Sequence, residues 1–77
     1  MGKKYVDIQA VFSKEGRILP QYIIWEDGRR FEIDRVRDIR PAASLKAGGA
    51  GIRYTCDICG HTRYIFLEET RWFIEMG

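Results

Sequence analysis

The chain has 77 residues, of which 45% are hydrophobic, 31% charged and 13% aromatic, a globular composition that excludes a disordered segment. So short a chain is read as one domain, residues 1–77, near the lower limit of self-sufficiency, where folding hides about 60% of the surface of the unfolded chain. Thirteen Lys and Arg against eleven Asp and Glu leave a charge of only +2, too little to define a nucleic-acid or membrane surface by itself.

The first residues, Met1 to Asp7, reach a carboxylate before any apolar stretch develops, so they do not read as a signal peptide, and no run approaches membrane-spanning length. A cytoplasmic location with no membrane partner is expected. Two cysteines three positions apart, Cys56 and Cys59, would staple a secreted domain poorly, which agrees with a reducing compartment.

Period-two alternation dominates from there on. Val6, Ile8, Ala10 and Phe12 predict a first strand with one buried face. Ser13 to Gly16 fit a type I turn closed by a left-handed glycine, and counting outward pairs Phe12 with Ile18, Ile8 with Tyr22 and Val6 with Ile24. Asp27-Gly28 offers a two-residue hairpin turn that sets Ile24 opposite Phe31 and Tyr22 opposite Ile33. Val36 and Ile39 then fall out of phase, which predicts a bulge or bend near Asp34 and Arg35.

Pro41 to Gly51 lacks strand character and reads as a short helical or loop connector stopped by Gly48-Gly49. Ile52, Tyr54, Cys56 and Ile58 form the cleanest strand pattern, and a turn at Asp57 to Gly60 pairs Cys56 with Thr62 and Tyr54 with Tyr64. A last strand spans Arg71 to Met76, and its pattern leaves open whether Trp72 or Phe73 faces inward. The fold expected is mainly β: a small, partly open barrel, SH3-like or OB-like, of five or six antiparallel strands, with the connector near residues 41–50.

The segments Trp25 to Arg29, Ala43 to Thr55 and Arg71 to Glu75 together resemble a family of small uncharacterised bacterial proteins of about this length. The likeness covers nearly the whole chain. It implies a compact β domain and brings no catalytic or binding residues to carry over. Members of that family often lack cysteines where this chain has Cys56 and Cys59, which weakens a shared metal site.

The most pointed chemical motif is Cys56-Asp57-Ile58-Cys59-Gly60-His61. A Cys-x-x-Cys-Gly turn is half of a zinc knuckle, but tetrahedral zinc wants four ligands, and beyond the two thiols the chain offers only His61, so close in sequence that the local strand can aim it elsewhere. Zinc would need Asp57 or a second chain, so the plainer reading is preferred: Cys56 as a small buried hydrophobe and Cys59 at a turn tip. Redox exchange is disfavoured, since both flanks read as strands and no helix N-terminus lowers a thiol pKa.

A second group is basic: Arg29, Arg30, Arg35, Arg37, Arg40, Lys46, Arg53 and Arg63. Guanidinium groups beside aromatic rings suit the phosphates and bases of single-stranded nucleic acid, and the expected registers put Trp25 on the outer face beside Arg30, with Arg53 and Arg63 together on the solvent side of their hairpin. Against this, Glu26, Asp27, Glu32, Asp34 and Asp38 interleave with the arginines, as on a solvated surface of ion pairs. Gly48 to Gly51 after Lys46 match a phosphate loop only weakly.

Catalysis finds no constellation. His61 lies beside a turn, Ser13 and Ser44 lie in loops, and Glu68-Glu69 read as a solvated pair. The expectation is a non-enzyme, with no resident cofactor unless zinc. The favoured role is a small binding module for nucleic acid or for a protein that handles it. A protein-interaction barrel, monomeric or weakly homodimeric, comes next, and a zinc-bridged dimer through Cys56 and Cys59 third.

Overall fold

Sequences that alternate in polarity bury one face when extended, and this chain adopts that solution throughout. The computed structural model describes residues 2–41 and 51–76. These form β1 (Gly2–Tyr5), β2 (Asp7–Phe12), β3 (Ile18–Ile24), β4 (Arg30–Glu32), β5 (Arg35–Pro41), β6 (Ile52–Ile58), β7 (His61–Glu68) and β8 (Arg71–Met76), with no helix among them. One antiparallel sheet has the order β1-β8-β7-β6-β5, and a second has the order β2-β3-β4.

Two stretches of chain serve both sheets. β1 runs into β2 through Val6, whose N–H donates to the Trp72 carbonyl at 3.1 Å. β4 runs into β5 through Ile33 and Asp34, whose N–H groups donate to the carbonyls of Gln21 and Asp57, each at 2.9 Å. The result is the mainly β, partly open barrel that the alternation predicts. Eight strands appear rather than five or six because two long stretches turn corners, the second at the expected bend, and because β1, polar in sequence, pairs with β8.

Ile23, Ile33, Tyr54, Cys56, Ile58, Ile65 and Leu67 form the core, with Val6, Ile8, Phe31 and Trp72 packed against it. Each large apolar side chain hidden there contributes about 1.5–3 kcal/mol. The reverse face of the five-stranded sheet holds a smaller cluster: Phe66 and Phe73 stack at 4.9 Å with planes 6° apart, and Tyr5 meets Phe73 edge-on at 5.8 Å. Trp72 faces the core, 5.3 Å from the Tyr54 ring, and Phe73 faces away from it, yet both are covered.

All three hairpin registers differ from expectation by one residue, the first beyond a bulge and the other two from the turn onward. In the first hairpin Gly16 closes the Ser13 turn as predicted, at φ +86°, and Phe12 does oppose Ile18. Beyond Ala10, however, the pairing jumps, so that Ala10 meets Pro20, Gln9 meets Tyr22 and Ile8 meets Ile23. Pro20 has no N–H to give the ladder, and the strand bulges at Gln21 before pairing resumes. Tyr22 is thereby turned to the outer face.

In the second hairpin the turn starts earlier than Asp27-Gly28. Gly28 N–H donates to the Trp25 carbonyl at 2.9 Å, and Trp25 N–H to the Arg29 carbonyl at 2.8 Å, so Ile23 opposes Phe31 and Ile24 opposes Arg30. In the third, Cys59 at φ +51° and Gly60 at φ +78° make a two-residue turn of the mirror-image type that matches strand twist. Cys56 therefore opposes Arg63 and Tyr54 opposes Ile65, not Thr62 and Tyr64. Pro41 ends β5 opposite Ile52; residues 42–50 of the expected connector, with Lys46, lie outside the described residues.

Candidate functional site

The shifted registers bring together side chains that the sequence left apart. β3 contributes Ile23, the turn after it Trp25 and Arg29, and β4 Phe31. The β6–β7 hairpin contributes Ile58, Cys59, His61 and Arg63, and β8 contributes Ile74 and Glu75. These residues line one cleft of about 410 Å³. Its floor and walls are apolar and aromatic, and its rim carries Arg29, His61 and Arg63, with Glu75 as the one carboxylate.

Five sequence candidates thus meet at this cleft: Trp25, Arg29, Cys59, His61 and Arg63. Trp25 is not on the outer face beside Arg30. Because it opens the turn, its ring swings inward to pack against the core, with the Lys4 ammonium 5.2 Å from its centre. Arg63 does not share a face with Arg53, since pairing with Cys56 points it the other way. It is exposed and has no carboxylate partner among the described residues; Arg30 and Arg35 share that property but do not line this cleft.

Most other arginines are engaged. Arg29 Nε donates to Asp27 at 2.6 Å while its guanidinium lies 5.4 Å from the Phe31 ring. Arg37 Nε reaches both oxygens of Asp57 at 2.8 Å, and Arg40 pairs with Asp38 at 2.8 Å. Arg37 holds the Asp57 carboxyl below its usual range, with Thr62 adding a hydrogen bond. Arg30 donates to Gln9 at 2.7 Å and covers Tyr22 at 4.3 Å on the outer face of the second sheet. Arg53 lies over Tyr64 at 5.2 Å with its Nε buried and unbonded. Arg35 is exposed opposite Asp57. Of the five interleaved carboxylates, Asp27 and Asp38 pair with arginines and Glu26 pairs with Lys4, while Glu32 and Asp34 have no ion pair among the described residues.

The two cysteines are free and differently placed. Cys56 is fully buried on the core face and Cys59 is exposed at the turn. Burial pushes the Cys56 thiol up to about 11, with the Asp57 charge adding to the shift. A thiol held protonated is a poor ligand and a poor nucleophile near neutrality. Among the described residues no group of three or more His, Cys, Asp or Glu is placed to hold a metal ion.

Two features were not visible in the sequence. Phe31 lines the cleft, which follows only from the second register. Glu68, read as a solvated turn residue, accepts from Lys3 Nζ at 2.7 Å, Tyr5 Oη at 2.9 Å and Arg71 Nη2 at 3.4 Å. Its partners Lys3 and Tyr5 lie at the far end of the chain, and no local pattern announces them.

Among the described residues no helix is long and apolar enough to cross a membrane. Comparison with protein-family models, with curated proteins and with solved structures finds no match to this chain.

Proposed function

We propose that this chain is a small non-catalytic binding module whose cleft takes single-stranded nucleic acid. The observation that carries the reading is Arg63, a cation with no carboxylate partner among the described residues, at the rim of a cleft lined by Trp25 and Phe31. A base stacked on an aromatic ring contributes about 1–3 kcal/mol, and a guanidinium at the rim supplies a fork of donors for the adjoining phosphate. His61 and Arg29 add donors beside it. A cleft of about 410 Å³ is the size of a small-ligand site and accommodates a nucleotide unit rather than a long track of bases.

The test is titration with short oligouridylate and oligothymidylate at two salt concentrations. With two or three phosphate contacts, affinity should fall about tenfold between roughly 50 and 200 mM salt. Arg63→Ala should weaken binding and flatten the salt slope, whereas Arg40→Ala, remote from the cleft, should change little. Absence of binding at the lower salt, or binding indifferent to Arg63, overturns the reading.

A further inference from the structure

A second opening lies where the barrel fails to close. β3 is paired along its length with β2, but on its other side β4 covers only Tyr22 to Ile24, so Ile18 to Pro20 present an edge with no strand beside it among the described residues. β5 is the end of its sheet: β6 pairs with one side of it, and no described strand pairs with the other. These two edges face each other across a groove of about 600 Å³, lined by Gly16 to Leu19 on one side and Val36 to Ile39 on the other, with Tyr54 and Ile52 between them.

An unpaired strand edge offers a row of N–H and C=O groups that another extended chain can match, and native proteins usually blunt such edges with proline, lysine or a covering element. Across this seam one side-chain bond stands in for a ladder, from the Tyr54 hydroxyl to the Ile18 carbonyl. The adjoining hairpin also leaves Phe12 77% exposed, on the same face as its partner Ile18, so apolar surface continues out of the groove. The seam keeps a positive excess. Arg37 and Arg40 are paired with Asp57 and Asp38, which leaves Arg17 and Arg35, both exposed, without a carboxylate partner among the described residues.

We propose that this seam is a strand-addition site: an extended segment of a partner protein, with aliphatic residues at alternate positions and carboxylates between them, pairs with the free edge of β5. The main chain supplies affinity through ladder bonds, aliphatic side chains enter the groove over Val36 and Ile39, and acidic side chains meet Arg17 and its basic neighbours. The site is separate from the Trp25 cleft and independent of what that cleft binds.

The test uses the full chain, isotope-labelled, and three blocked nonapeptides: one alternating valine with glutamate, one of the same composition N-methylated at alternate amides, and one with lysine replacing glutamate. The valine–glutamate peptide should shift the amide resonances of Ile18, Leu19 and Val36 to Arg40, and slow exchange of the β5 amides not bonded to β6. The N-methylated peptide, which lacks the ladder donors, should not. Arg17→Glu, at an exposed turn, should weaken the acidic peptide about fivefold, the worth of one exposed ion pair, and improve binding of the lysine peptide. Absence of these shifts at millimolar peptide, equal binding of the N-methylated peptide, or shifts confined to the Trp25 and Arg63 cleft overturns the proposal. Concentration-dependent shifts at the same amides without peptide overturn it in favour of a second copy as the occupant.

Discussion

The Tyr54 hydroxyl donates to the Ile18 carbonyl at 2.6 Å, linking the five-stranded sheet to the base of the β2–β3 hairpin. Tyr54 is only 2% exposed and Ile18 is half-buried, so the bond is partly shielded from water at the edge of the groove. Removing the hydroxyl leaves a partly shielded carbonyl without its donor, which costs about 1 kcal/mol. Tyr54→Phe is expected to lower Tm by about 4–8 °C for each kcal/mol lost in a domain of this size. Calorimetry on the two proteins checks it. A variant as stable as the parent would mean that water already satisfies Ile18.

The buried Cys56 thiol makes stability depend on alkaline pH. Its folded pKa is raised, from about 9 to about 11, so the folded state holds the proton more tightly than the unfolded state does. The stability this contributes is fully present below about pH 9 and is lost as pH rises toward 11, by about 2–3 kcal/mol over the interval. The Tyr54 hydroxyl, raised by burial, acts in the same direction. Urea midpoints measured below and within that interval should fall. Cys56→Ala should start lower, because it leaves a small void, and decline less steeply. An equally steep decline in that variant would assign the effect to another group.

The alternation exposed the strands because one face of each is buried, and it located β6 and the bend after Ile33 for that reason. It missed β1, where Lys3 and Lys4 alternate with nothing apolar and pairing comes entirely from β8, at the other end of the chain. It left Trp72 against Phe73 unresolved because both faces of the first sheet are covered at that point, so hydrophobicity carries no period. The register slipped at a bulge in the first hairpin and at the turn in the other two. Asp27-Gly28 looks like a two-residue turn, yet Asp27 is not left-handed and the turn begins at Trp25. Each slip reverses the faces of the strand beyond it, and for that reason Trp25 and Arg63 were assigned to the wrong sides. The cleft joins Trp25 to Arg63 across two sheets, a relationship that no local spacing encodes.

Cys59 occupies the left-handed region at φ +51°, where a side chain other than glycine, asparagine or aspartate is strained by about 1–2 kcal/mol. Cys59→Asn relieves that strain in the turn best suited to Asn-Gly and should raise stability by about 0.5–1 kcal/mol. The same variant removes the exposed thiol, so rapid alkylation should vanish while the buried Cys56 stays slow to react. If the cysteines instead bridge two chains through zinc, the variant should lose bound metal and dissociate. Thermal unfolding, thiol titration and metal analysis of one preparation distinguish the two outcomes.

Glu68 ties both ends of the chain together, and acid should release it. Lys3 and Tyr5 donate to its carboxylate, and the nearby charges of Lys3 and Arg71 add to their effect, so its pKa lies below the usual glutamate value. A carboxyl depressed by folding contributes stability that is fully present above its unfolded pKa, near 4.5, and is lost as pH falls through the lower folded value. Lys3 is shifted upward by the same contact, which places its own loss far into the alkaline range. Acid unfolding of the parent and Glu68→Gln is therefore expected to differ most near neutrality and to converge at low pH, where the parent's carboxyl is also neutral. Tyr5→Phe, which removes one donor and keeps the ring against Phe73, should fall between them. If Glu68→Gln tracks the parent at every pH, β1 is held by its ladder to β8 alone, and the ion pair at the barrel's corner adds nothing to it.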